Sequence, residues 1–197
     1  FVESLKIYKN MTINSIVMSY ITTFTGKHFD PIHPVPEKID MKDIAHALSL
    51  ICRANGHTRF FYSVAQHSIA CCKEAKTRGL SNRIQLGCLL HDSSEAYMSD
   101  VTRPIKAKLT EYLKFEDHLQ NMIWNHFISE PLSDTEKKAI FEIDDEMLSY
   151  EFIHLLPESI SDDYKFILSR PTLEFINPTI VEDEFISLSA EIGTPTS

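Results

Sequence analysis

Residues 86–100 read LGCLLHDSSEAYMSD: an apolar run followed by an imidazole and three carboxylates. Charged groups are rarely buried unless they are paired or bound to a metal. His91 and Asp92 are adjacent, and Glu95 follows them by four and three residues, a spacing that shares one face of a helix. Imidazole nitrogen and carboxylate oxygen both ligate first-row divalent metals. Two neighbouring ligands cannot complete a coordination sphere, so others are needed from elsewhere in the chain.

Two further residues are polar where an apolar one belongs. His67 lies in YSVAQHSIA, and Asp144 lies in FEIDDEMLSYE among Ile143, Met147 and Leu148. Alone, His67 reads as a hydrogen-bonded core histidine, and Asp144, beside Asp145 and Glu146, as solvated helix surface. Together with His91 and Asp92 they put ligand types on three apolar helix faces. This mixed nitrogen and oxygen set, without thiolate, suits one divalent ion: cobalt, manganese, zinc, nickel, iron or magnesium. Such an ion acidifies water and polarises a phosphoryl oxygen. Glu95 is placed to accept the proton of that water, and Asp100 to orient it or protonate a leaving oxygen. Arg103, Lys106 and Lys108 follow at once, a local cationic cluster suited to phosphate. His57 and Arg59 precede the His67 segment and either face the same cleft or pair locally.

The elements that must hold these groups read as helices. Residues 18–40 hold three Pro and one Gly and form an extended arm or short hairpin. Asp40 caps a helix with Ile44, Leu48 and Ile51 on one face. Ser63 caps the His67 helix, which Gly79 ends. A third helix is expected over residues 82–92, a long one over 110–128, and another from Ser133 to about 155 before Pro157. The segment from Pro171 reads as an apolar but irregular tail, packing on the domain or on a neighbouring subunit. The expected fold class is all-α, a compact multi-helix bundle. The expected organisation is an N-terminal extension over 1–17, a domain over 18–170 and the tail over 171–197.

Bulk composition agrees. The chain has 197 residues, 43% hydrophobic and 24% charged, with 5 Gly and 9 Pro, as in an ordinary folded domain. A net charge of −9 disfavours wrapping nucleic acid or an anionic membrane. Cys52, Cys71, Cys72 and Cys88 form no C-x-x-C pair and read as reduced, buried thiols of a cytoplasmic protein.

The order His67, His91-Asp92, Asp144 resembles the H…HD…D pattern of HD-domain metal-dependent phosphohydrolases. FTGKHFDP, IAHALSLICRANGHTRFFYSVAQHS, LLHDSSEAYMSDVTRPIK and IDDEMLSYE are similar to the bacterial and phage branch related to 5′-deoxynucleotidases, which includes phage dATP-hydrolysing members. The resemblance runs from about Tyr20 to Glu151. It implies an HD-domain bundle with His67, His91, Asp92 and Asp144 as metal ligands and Glu95 and Asp100 as catalytic acids. Asp144 is chosen over Asp145 because it precedes Glu151 by seven residues, as in that family. Arg53 falls where those enzymes place a substrate-binding arginine. They follow it with tryptophan, whereas this chain has Ala54, so the sugar and base pocket is built differently. The resemblance implies a small-molecule deoxynucleotide substrate, either a monophosphate or a triphosphate such as dATP, and a homo-oligomer. A non-catalytic nucleotide-binding HD module and a cyclic or signalling nucleotide phosphodiesterase are the alternatives.

Overall fold

The computed structural model describes residues 19–157 and 166–193. The expected extension over 1–17 lies outside them. Eight α-helices carry the described chain, with one two-stranded hairpin, so the all-α expectation holds. The hairpin pairs β1 (Ile21–Thr22) with β2 (His28–Phe29), antiparallel, with Phe29 opposite Ile21. It is docked by Asp43, whose carboxylate accepts from the Thr25 backbone N–H at 2.7 Å and the Thr25 hydroxyl at 2.9 Å.

Helix α1 (Met41–Leu50) starts where the Asp40 carboxylate accepts from Lys42 N. Helix α2 (Val64–Thr77) starts at a capping box between Ser63 and Gln66, two reciprocal side-chain bonds that satisfy orphan N–H groups. Helix α3 (Asn82–Leu89) is capped by Ser81. Two single-turn helices follow, α4 (Glu95–Met98) and α5 (Arg103–Lys106). Helix α6 (Thr110–Phe127) and helix α7 (Asp134–Leu155) are long, and Ser133 with Glu136 forms a second capping box. The segment expected to be an irregular tail contains a helix, α8 (Pro178–Gly193). Val181, Phe185 and Ile192 of α8 lie at helical spacing and join the core of the domain, which orders the segment.

The centre of the molecule is α2. Every residue from Val64 to Cys72 is buried, because α1, α3, α7 and α8 all pack around it. Helices α3 and α7 approach closely at Gly87, where a Cβ would run into the Ile140 side chain. The freed Gly87 carbonyl accepts from Trp124 Nε1 at 3.3 Å, which adds α6 to the same junction.

Glu74 fastens the chain after residue 165 to α2. Its fully buried carboxylate accepts from Leu168 N at 3.1 Å, Ser169 N at 2.7 Å and Arg78 Nε at 2.7 Å. Burial opposes its charge, but these donors win and hold its pKa below the ordinary 4.5. A lowered folded pKa stabilises the fold above 4.5 and the contribution fades as pH falls below it. Glu74→Gln is therefore expected to cost about 2 kcal/mol at pH 7, with the gap to the parent narrowing in acid. Urea unfolding of both proteins at pH 7 and pH 3.5 checks this; a gap independent of pH would refute it.

Candidate metal centre and cleft

Helix α3 ends at Leu89, so the expectation of one helix over 82–92 is corrected. The His91 ring donates from Nδ1 to the Cys88 carbonyl at 2.7 Å, taking an acceptor that the helix would use. The chain then tightens through three-residue turns, Ser93 N to Leu90 O and Glu95 N to Asp92 O, both 3.0 Å. Gln120 of α6 secures this turn, accepting from Ser94 N at 3.0 Å and donating to Leu90 O at 2.7 Å. His91 and Asp92 are thus presented by the turn between α3 and α4 and Glu95 by the first residue of α4, rather than all three by one helical face.

His67 comes from the middle of α2 and is fully buried. Its Nδ1 donates to Glu151, 3.0 Å from each carboxylate oxygen. With both Nδ1 positions engaged, the Nε2 atoms of His67 and His91 face one another at 3.2 Å. Asp144 Oδ1 lies 3.0 Å from His67 Nε2 and 3.6 Å from His91 Nε2. Asp92 Oδ2 lies 3.3 Å from His91 Nε2 and 3.9 Å from His67 Nε2. Donors about 2.1 Å from one cation stand roughly 3.0 Å apart at adjacent octahedral corners and roughly 3.4 Å apart in a tetrahedron. The observed separations bracket those values. Protons on the imidazoles bridge such donors, and a metal ion could take their place between the facing nitrogen and oxygen atoms.

Cys71 belongs to the same cluster. It follows His67 by one turn of α2, and its Sγ lies 3.7 Å from His67 Nε2. His67, Cys71 and His91 are buried together in a cluster that could hold a metal ion. Burial first, and then Asp144, pushes the Cys71 thiol well up. In the sequence this thiol reads as reduced and buried, and the expected ligand set holds no sulfur; its four-residue spacing from His67 is the signal that places it here. Glu151 was also missed in its contact role. It lies seven residues after Asp144, two turns of α7, and so on the same stripe.

The clustered groups shift one another's proton affinities. Burial disfavours charged imidazole, yet Asp92 and Asp144 raise His91 well above the ordinary value. Burial and Arg53 also work against His67, which Glu151 and Asp144 raise nonetheless. Burial works against Asp144 and Asp92 as anions, but the two histidines hold Asp144 low and His91 with Arg53 holds Asp92 low. Glu95 is pushed well up by burial and by Asp92 and Asp100, while Arg53 and Lys106 oppose this. Asp100 is raised by burial and Asp92.

The cluster opens into a cavity of about 840 Å³. Arg53, His57, Glu95, Asp100, Arg103 and Lys106 line it. Arg53 is held by a turn of left-handed residues, Ala54 at φ 51° and Asn55 at φ 51°. Its guanidinium reaches Asp92 at 3.4 Å and Glu151 at 3.6 Å, and its buried Nε has no partner. The surrounding carboxylates outweigh burial and hold it charged. Arg103 bonds Asp144 Oδ2 at 3.1 Å and Asp145 Oδ1 at 2.8 Å. Lys106 lies 2.7 Å from Glu116 and 3.8 Å from Glu95. Arg59 does not line the cavity. It is exposed, and its backbone N–H and guanidinium are spent on Leu155 O and Pro157 O, so it ties its loop to the end of α7.

Asp100 is aimed by strained backbone. Ser99 adopts φ 72°, ψ 153°, a region almost reserved for glycine. Its carbonyl accepts from the Tyr112 hydroxyl at 2.9 Å, which helps hold it there.

No family model matches the chain. The chain is similar to YfdR, an uncharacterized protein of Escherichia coli K12: 37% identical over 123 residues, 61% of this chain and 65% of that protein. It is similar also to an uncharacterized protein of Rhodobacter capsulatus, 37% identical over 101 residues, 48% of this chain and 51% of that protein. The matched stretches span less than two thirds of each relative's length. Among the described residues no helix is long and apolar enough to cross a membrane.

Ser99→Gly is expected to stabilise the fold by about 1 kcal/mol, since the relieved strain of about 1–3 kcal/mol exceeds the extra chain entropy of glycine, about 0.5–1 kcal/mol. Thermal melts of the two proteins test it, and a lower melting temperature for the glycine variant would refute the strain.

Proposed function

We propose that the protein hydrolyses phosphate esters of 2′-deoxynucleotides at one divalent cation held by His67, His91, Asp92 and Asp144. One observation carries the reading. The four facing ligand atoms, 3.0–3.9 Å apart in the measured pairs, lie beside a cavity whose wall also carries Arg53, Arg103 and Lys106. The deoxynucleotide class rests on the resemblance of the four quoted segments, and the cavity is compatible with it. Val101, Leu113, Trp124, Phe141, Leu148 and Phe152 also line the cavity and give it apolar surface suited to a heterocycle.

A divalent cation in this site supplies Lewis acidity toward a phosphoryl oxygen and acidifies a water. Arg53 offers its unpartnered Nε–H to a phosphate oxygen, in a site where bidentate guanidinium binding is strong. Arg103 and Lys106 add positive charge and exchange a carboxylate partner for the phosphate. The raised proton affinity of Glu95 suits a carboxylate that takes a proton from the attacking water, and its buried Oε2 lacks a partner. Asp100 holds the proton that the departing oxygen needs. The balance of the two cuts is deoxynucleoside plus phosphate from a monophosphate, or deoxynucleoside plus triphosphate from a dNTP.

The test is a panel of deoxy- and ribonucleoside mono- and triphosphates incubated with Mn²⁺ or Co²⁺, with products separated by chromatography. Deoxynucleoside release is expected, and the accompanying phosphate or triphosphate identifies the cut. No product with a metal-loaded protein would overturn hydrolysis in favour of a binding module. In the same assay Asp92→Ala is expected to lose both metal and turnover. Glu95→Gln should keep its metal and lose about 10²–10⁴-fold in rate; loss of metal instead would make Glu95 a ligand.

A further inference from the structure

Among the described residues, Glu151 is a fully buried carboxylate in contact with the metal cluster that takes no part in the proposed chemistry. Glu151 sits on the same stripe of α7 as Asp144, its side chain is 1% exposed, and a buried carboxylate is costly unless it is fully partnered. Its partners are not a generic ion pair. His67 donates Nδ1–H to it at 3.0 Å, and Arg53 Nη2 lies 3.6 Å away.

We propose that Glu151 is a positioning residue that fixes the His67 ring and holds Arg53 beside it, joining the metal side of the cleft to its phosphate side. The inference rests on the metal-centre reading above. A carboxylate at Nδ1 keeps the proton there, so the lone pair of Nε2 is left facing His91 and Asp144. It also makes that lone pair more basic, as carboxylate partners of metal-bound histidines do. The other imidazole shows the contrast. His91 is oriented by the neutral Cys88 carbonyl, which no side-chain substitution can remove. Glu151 is therefore the orienting group at this cluster that mutation can reach. Because Asp144 and Glu151 ride on one helix, α7 supplies a candidate ligand and also aims the ligand supplied by α2.

The probe is Co²⁺ alone, titrated calorimetrically into the apo-protein and its Glu151→Ala and Glu151→Gln variants. Glu151→Ala is expected to weaken Co²⁺ binding 10–100-fold. Glu151→Gln, whose amide oxygen still accepts the Nδ1 proton, should lose less than Glu151→Ala. A residue serving only the fold would lower the melting temperature and leave the Co²⁺ affinity of the folded protein unchanged, which would overturn the proposal. Should the alanine variant not fold, the glutamine variant decides: weaker Co²⁺ binding than in the parent is expected, and parent affinity in a folded Glu151→Gln protein would refute the role. Unchanged affinity in Glu151→Ala leaves the metal-centre reading standing, whereas a parent protein that does not bind Co²⁺ overturns both.

Discussion

An imidazole in the middle of a helix buried on all sides can exist only if both ring nitrogens are satisfied. His67 meets this condition by donating Nδ1–H to Glu151 and turning Nε2 toward His91 and Asp144. Everything else at the centre of the fold follows from that constraint. The α7 helix must present two carboxylates two turns apart, and α3 must stop where His91 can meet His67. The close approach of α3 and α7 at Gly87 permits both. The polar cluster is thus a packing condition on three helices as well as a place for chemistry.

Satisfying that condition breaks regular structure. His91 takes a carbonyl from the α3 ladder, and the chain runs through short turns from Leu90 to Glu95. Gln120 supplies the acceptor and donor that the broken ladder lacks, so a core residue of α6 holds the turn rigid. The strain at Ser99 extends the same pattern toward Asp100. Local irregularity supported by buried side-chain bonds is how a protein fixes a constellation of charged groups.

Charge is arranged with equal economy. The protein is acidic, yet its cavity collects Arg53, Arg103 and Lys106, each beside a carboxylate. These pairings keep the cations in place. Arg53 is the most buried of the three and is held between Asp92 and Glu151.

Much of this was legible in the sequence for local reasons. Caps at Asp40, Ser63 and Ser133 act within a few residues, so the starts of α1, α2 and α7 could be read directly. Helical spacing and composition established an all-α fold, and the ligand-type residues at apolar positions marked His67, His91, Asp92 and Asp144. Tertiary contact decided the rest. The end of α3 depends on a side-chain bond from His91, and Arg59 left the candidate site because its loop pairs with the end of α7. The apolar positions of α8 find their meaning only against α1, α2 and α3. The link between Glu151, His67 and Arg53 joins residues 84 and 98 positions apart, respectively, and no local pattern encodes such a distance. Short-range hydrogen bonding and periodicity are written in neighbouring residues; the geometry of a buried polar cluster exists only once separate helices are packed around it.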